Sequence, residues 1–284
     1  MMDPVALIWI VTGILAGVAA LLSAVGFYKF VYFLNVGYGF AVAGIAIATA
    51  VMSLVGFIPS IGVCEYVLLA LLLLYGARLS GFLLYRDIKS ASYKKAVSNA
   101  NVAKDKKMPI FVKITIWLSV VVLYVAETSP VAYRAIQGSV YSSTNSVLDL
   151  IFPIVGAVIM ATALTIETLA DHQKSQAKKV NPHRFVDTGL YRYVRCPNYL
   201  GEILFWTGVF VSGINVYTYW WQWVIAIFGY LCLIYVMLSG AKRLDKRQTK
   251  NYGEDPEFQA YVKKTPILMR LIPVKSLKDW KWIV

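Results

Sequence analysis

The side chains of this 284-residue chain that could do chemistry crowd between Glu167 and Glu202. Glu167 and Asp171 stand four residues apart, with Lys174 and Lys178 at seven and eleven residues, so one helix face would carry all four. Downstream runs Asp187-Thr-Gly-Leu-Tyr-Arg-Tyr-Val-Arg-Cys-Pro-Asn-Tyr-Leu-Gly-Glu202. Pro197 suits the first turn of a helix, where a missing N–H costs nothing. The free N–H groups behind it would hold an anion such as phosphate. Arg192 and Arg195 stand just before that turn, and planar guanidinium forks grip phosphates in pairs. Asn198, Tyr199 and Glu202 add hydrogen-bonding groups, and Gly201 permits close approach of a chain or ligand. By spacing alone the run reads equally well as a basic hairpin resting on anionic lipid headgroups. A second pair, Tyr75 and Arg78, lies in an apolar stretch. There a tyrosine beside an arginine would donate a hydrogen bond to a carbonyl oxygen, or would simply pack at headgroup level.

The elements that must position these groups are membrane spans. Hydrophobic residues make up 58% of the chain and charged ones 15%, below the roughly 25% of soluble domains. No soluble core of this size hides so much apolar surface. Seven apolar spans are read at about 5–27, 31–59, 62–85, 109–126, 147–169, 200–216 and 219–239, each near the roughly 20 residues of a bilayer-crossing helix. The expected fold is an all-α integral membrane protein, a bundle of about seven transmembrane helices forming a single domain over 1–284. The net charge of +13 follows the topology. Lys and Arg number seven in 86–107, six in 170–199 and eleven in 240–284, Lys29 adds one, and the opposite side carries only Arg134. That asymmetry predicts the amino terminus outside and the carboxyl terminus in the cytoplasm, and it removes nucleic acid as a partner. The first span has no basic leader or small-residue cleavage site, so a retained helix is expected rather than a signal peptide. Segment 86–107 is expected as an exposed loop. So is 127–146 on the exterior, because Pro130, Gly138 and a Ser/Thr/Asn run interrupt the pattern.

Other chemistries recede. His172 and His183 are the only histidines, and Cys64, Cys196 and Cys232 form no spaced pair, so neither a histidine-rich metal site nor a disulfide scaffold is expected. No Gly-x-Gly-x-x-Gly is present, so no Rossmann domain is implied. No internal repeat appears, against the duplicated halves of many transporters.

The segments Glu167-Thr-Leu-Ala-Asp171-His-Gln-Lys and Phe185 through Trp206-Thr-Gly closely resemble the carboxyl-terminal domain of the steroid 5-alpha-reductase family, in its poorly characterised branch. Leu74-Tyr-Gly-Ala-Arg-Leu-Ser80, the tail from Tyr252 and Leu271-Ile-Pro273 resemble it too, so the likeness covers roughly 65–274. Cys196 stands where the branch more usually has His before the proline. The resemblance implies a seven-helix, NADPH-dependent reductase of conjugated double bonds, with 108–284 as its cofactor-binding part and a lipid or steroid-like enone as substrate. By that resemblance Glu167, Asp171, Asn198, Tyr199 and Glu202 would line the dinucleotide pocket. Lys178, Arg192 and Arg195 are the physical candidates for its phosphates. Tyr75, with Arg78, would polarise the substrate carbonyl as negative charge grows there. The family pairs that tyrosine with a glutamate in the second span; residues 31–59 contain no acid, and Tyr32, Asn35, Tyr38 and Ser53 are among the polar groups there.

Two rival classes stand beside it. Isoprenylcysteine and phospholipid methyltransferases, which use S-adenosylmethionine, share an Arg-x-Pro-x-Tyr-x-Gly element, but they carry paired glutamates after the last span where this chain has one acid, Asp245. A non-catalytic lipid-binding protein on the same scaffold is the other. In every case the expected location is a membrane crossed many times, endoplasmic reticulum in a eukaryote or inner membrane in a bacterium, with membrane lipids as neighbours.

Overall fold

The computed structural model describes residues 3–89, 108–141, 147–269 and 274–283. Among the described residues all regular structure is helical: α1 Pro4–Ser23, α2 Val36–Leu54, α3 Val63–Lys89, α4 Ile110–Tyr141, α5 Leu148–Val180, α6 Pro197–Gly213, α7 Trp220–Tyr252 and α8 Pro256–Lys264, with short 3-10 turns between some of them. Seven of these stretches are long and apolar enough to cross a membrane, matching the seven expected spans of a multi-pass membrane protein. Local chemistry sets several helix ends. Asp3 accepts from the Ala6 amide at 3.0 Å with Pro4 in the first turn of α1, and Asp255 accepts from the Glu257 amide at 2.8 Å with Pro256 opening α8.

The expected exterior loop at 127–146 is corrected: α4 continues unbroken to Tyr141, with Pro130 inside it. Proline removes one helical hydrogen bond and crowds the carbonyl one turn back. Here that cost is offset by neighbouring hydroxyls, since Ser129 Oγ donates to the Ala126 carbonyl at 2.8 Å and Thr128 Oγ1 to Tyr124 O at 2.8 Å. Burial of residues 127–137 supplies the rest. Residues 142–146 of that expected loop lie outside the described residues. Of the expected loop at 86–107, residues 86–89 are the last turn of α3, and 90–107 lie outside the described residues.

The chain divides into two compact units, one of residues 1–157 and 209–229, the other of residues 158–208 and 230–284. In the first unit α2 and α3 meet at glycines: a Cβ at Gly76 would overlap the Gly39 carbonyl, and one at Gly39 would overlap Ser80 and Gly76. Ser80 Oγ donates to the Val36 carbonyl at 2.7 Å across the same crossing. The irregular turn from 24 to 35 keeps its polar groups satisfied, because Trp117 Nε1 reaches the Ala20 carbonyl and the Tyr124 hydroxyl donates to the Phe33 carbonyl. Lys29 and the Tyr32 hydroxyl both bind Asp87, joining that turn to the end of α3. Burial works against the Lys29 charge, but the hydrogen bonds to Asp87 and Tyr32 outweigh it and raise its pKa.

Arg134, on α4, is buried in the same unit and every nitrogen of its guanidinium is engaged. Nε donates to the Ser212 carbonyl at 2.5 Å, Nη1 reaches Glu65 Oε1 at 3.5 Å and the Asp149 carbonyl at 3.4 Å, and Nη2 donates to Asn215 Oδ1. Asn215 in turn donates to Asp149 at 2.6 Å. One turn further along α4, the Gln137 and Gln222 side chains bind each other, Thr218 and the first amides before α7.

Candidate functional site

The second unit holds the residues from Glu167 to Glu202, and α5, the 189–196 segment and α6 position them. Gly201 is the reason α5 and α6 can touch: a Cβ there would overlap the Glu167 side chain and press on the Ala163 carbonyl. Glu167, 2% exposed, is therefore held against α6 one residue from Glu202, which is also buried and accepts a long hydrogen bond from Trp206 Nε1 at 3.4 Å. The structure thus brings Glu167 against α6 at Gly201, 34 positions further along the sequence.

The 189–196 segment is fastened on both flanks. Gly189 has φ +61°, a conformation in which a side chain would be strained, and a Cβ would also overlap Gln173. Gln173 Oε1 accepts from the Leu190 amide at 2.8 Å, and the Tyr191 hydroxyl donates to the Ala170 carbonyl at 3.3 Å. On the other flank the Arg195 and Cys196 amides donate to the Pro266 and Ile267 carbonyls, each at 2.9 Å, and the Tyr261 hydroxyl donates to Tyr191 O at 2.6 Å. Burial first, then the nearby Asp171 charge, holds the Tyr191 hydroxyl far above its ordinary range. Burial pushes the Cys196 thiol up to about 12, against the opposing pull of Arg195 and Lys174. Such a thiol is inert at neutral pH.

Arg195 is the centre of the arrangement. Its side chain and that of Asp245 on α7 are 0% and 1% exposed and paired at 2.9 Å. Nη2 also donates to the Lys275 carbonyl at 2.6 Å, while Asp245 accepts from the Ser276 hydroxyl at 2.6 Å and the Leu277 amide at 3.0 Å. Yet Nε and Nη1 of the same guanidinium are buried with no hydrogen-bond partner, and so is Oδ1 of Asn198 on the first turn of α6. Ser239 Oγ and Gln248 Oε1 on α7 share that condition. Native interiors rarely leave such groups unsatisfied, and a site that takes a ligand or ordered water is one physical reason for it.

The remaining expected site residues have other surroundings. Lys178 spends its ammonium on the Pro182 and Arg184 carbonyls and the Tyr252 hydroxyl, closing the end of α5. Arg192 is exposed and lines a surface depression of about 510 Å³ together with Asp187, Glu257 and Lys264. Beside it Arg184 forms a two-pronged pair with Asp187 at 3.1 and 3.0 Å and meets Glu257 at 3.1 Å; these hydrogen bonds raise its pKa. Tyr199 packs on the apolar cluster of Cys196, Ile203, Ala241 and Leu244, within electrostatic reach of Arg243, Arg247 and Glu202. Tyr75 belongs to the first unit. It is fully buried with its ring edge-on to Tyr38 at 6.1 Å, and Arg78, one turn along α3, is half-buried.

Sequence reasoning missed Asp245, Gln173 and the 274–283 segment as partners of the site. One signal was present for Asp245, a lone acid within Lys242-Arg-Leu-Asp-Lys-Arg247. A single acid set among cations on a helix that also faces a core is placed to neutralise a buried charge. Gln173 and the 274–283 segment gave none.

Fold and site together define a multi-pass helical membrane protein with a half-satisfied polar cradle where α5, α6 and α7 leave their apolar stretches. The chain belongs to the family described as Protein of unknown function (DUF1295), whose model matches residues 29–265. No curated protein and no solved structure matches it.

Proposed function

We propose that this chain is an NADPH-dependent membrane reductase acting on the conjugated double bond of a lipid or steroid-like enone. The observation that carries the reading is the cradle around α6: Arg195 Nε and Nη1 and Asn198 Oδ1, buried and without partners, within the run that resembles the steroid 5-alpha-reductase family. The donor set fits the anionic parts of a dinucleotide. Arg195 offers two unspent nitrogens, Nε and Nη1, with three N–H bonds between them, Arg192 lies exposed on the same segment, and Lys174, Arg243 and Arg247 lie within electrostatic reach of Cys196 or Tyr199. Lys178 does not fit, since its ammonium is already bound to two carbonyls and a hydroxyl.

Bound NADPH would supply the hydride. The chain's own contribution is to hold the anion and to exclude water. Arg195 is pre-oriented by Asp245 and the Lys275 carbonyl, so little freedom is lost when its remaining N–H groups find an acceptor. Glu167, Asp171 and Glu202 supply acceptors for hydroxyl and amine groups. Tyr75 as the donor to the substrate carbonyl rests on the Tyr-x-x-Arg resemblance. The methyltransferase reading loses support, because Asp245, the one acid available after the last span, is committed to Arg195, Ser276 and Leu277.

The orientation belongs to the same reading: amino terminus outside, carboxyl terminus cytoplasmic. Thiol probes introduced at 174–195 and 242–281 should react from the cytoplasmic side alone. Titration of the purified protein with NADPH against S-adenosylmethionine tests the cofactor. Asn198→Ala and Glu202→Ala should each weaken NADPH binding about ten- to hundredfold with the fold retained. Absence of NADPH binding by the parent protein would sink the reading.

A further inference from the structure

The span that opens at Pro197 runs to Val216, 20 residues or about 30 Å of helix, which is the whole thickness of a hydrocarbon core. The residues just before Pro197 therefore stand outside the core. Arg192 and Tyr193, five and four positions upstream, lie at the level of the lipid headgroups. The Tyr193 ring is 56% exposed, and aromatic rings of that kind are enriched at the membrane–water boundary.

At that level lies the depression of about 510 Å³ lined by Asp187, Gly189, Arg192, Glu257, Tyr261 and Lys264. Its wall is rigid. The Tyr261 hydroxyl is spent on the Tyr191 carbonyl at 2.6 Å, its ring stacks on Phe185 at 5.4 Å, and Phe185 meets Phe258 edge-on at 5.2 Å. The charges around it are unequally engaged. Arg184, beside the depression, is paired with both Asp187 and Glu257. Arg192 and Lys264 are exposed and have no ion pair among the described residues. Three cations thus face two carboxylates, and the balance is positive. Lys275 adds to it, because its Nζ lies 3.0 Å from the Lys264 carbonyl.

We infer that this depression holds the phosphate of an anionic phospholipid headgroup. A phosphodiester places its negative charge at the depth where Arg192 and Lys264 stand, and a guanidinium fork beside an ammonium suits its oxygens. Asp187 and Glu257 repel it less than free carboxylates would, because Arg184 is held between them. A choline headgroup brings a cation of its own, so the positive balance selects phosphatidylglycerol over phosphatidylcholine. Arg192 is shared with the dinucleotide reading, whereas Lys264 belongs to this depression alone. The inference needs no cofactor.

The test uses the full-length protein, delipidated in detergent and exposed to mixed micelles of phosphatidylglycerol and phosphatidylcholine, with retained lipid counted by native mass spectrometry. Phosphatidylglycerol should be preferred about tenfold, and Arg192→Gln and Lys264→Gln should each lower that preference about fivefold, the scale of one cation at an anionic headgroup. Both side chains are exposed, so the variants should fold. Glu257→Gln leaves Arg184 less neutralised and should raise the preference; a loss equal to that of the cation variants would overturn the charge assignment. No preference in the parent, or one unchanged in both cation variants, overturns the site. Saturation by glycerol phosphate without any preference between the two lipids overturns the lipid source. Lys264→Gln should leave NADPH affinity at the parent's level. A fall in that affinity with lipid preference unchanged would hand the depression to the dinucleotide and overturn the inference. Preference for phosphatidylglycerol in a protein that binds no NADPH would remove the reductase reading and keep this site.

Discussion

Two arginines are buried among the described residues, Arg134 in the first compact unit and Arg195 in the second, and their surroundings differ in kind. Arg134 has a partner for Nε, Nη1 and Nη2, drawn from α3, α5, the end of α6 and the segment after it. Arg195 has partners for Nη2 alone, while Nε and Nη1 are buried and unspent. A fully satisfied fork is a structural fastener, because any change strands the groups around it. A half-satisfied one held rigidly by its other half is poised to receive an acceptor. The comparison teaches that burial of a charge does not by itself mark function; the unspent hydrogen-bonding capacity does.

The sharpest way to break the comparison is Arg134→Leu. It leaves Glu65 and two carbonyls without their cation and should cost about 3–5 kcal/mol, read as a large fall in thermal unfolding temperature. A folded protein of parental stability would show that the Arg134 network is not a fastener. Within the same unit, Tyr75→Phe should leave stability and NADPH affinity near the parent's and lower turnover of an enone roughly a hundredfold, the scale of one lost oxyanion donor. An active enzyme indifferent to that change removes Tyr75 from the mechanism.

In the second unit, Arg195→Lys keeps a cation opposite Asp245 but removes the fork. NADPH affinity should fall about ten- to hundredfold with only a modest change in stability. Parental affinity would mean that Nε and Nη1 are not ligand donors. The smallest effect is expected at Lys178→Met. Its three partners lie at the exposed end of α5, so stability should drop by no more than about 1 kcal/mol and NADPH affinity should not move. A tenfold loss of affinity there would return a phosphate to Lys178 and weaken the case for Arg195.

Lys178 and Arg195 also mark where reading the chain residue by residue stops working. Both are cations in a basic segment, and spacing treats them alike. Lys178 is spent because the chain turns back at Pro182 and Arg184 and because Tyr252, 74 positions away, arrives beside it. Arg195 is spent on one side only, by an acid 50 positions away and a carbonyl 80 positions away. Glu127 reads as a loop residue for a related reason. Pro130 and Gly138 signal a break in any local window, and only Ser129, Thr128 and the packing of their neighbours restore the helix that buries it.

The chain's own composition dictates the set of seven apolar helices. A run of some twenty apolar residues has one stable form in hydrocarbon, because every backbone N–H and C=O must be satisfied within the segment. Gly39, Gly76 and Gly201 permit close contacts because each lacks the Cβ that would collide there, but Gly13, Gly17 and Gly81 meet nothing within 4 Å, so packing decides which glycines are used. The tertiary structure alone decided which charges are spent and which are left over. That depends on partners brought from fifty or more positions away, and hydrogen-bond satisfaction is a property of the assembled neighbourhood rather than of any residue's type or spacing.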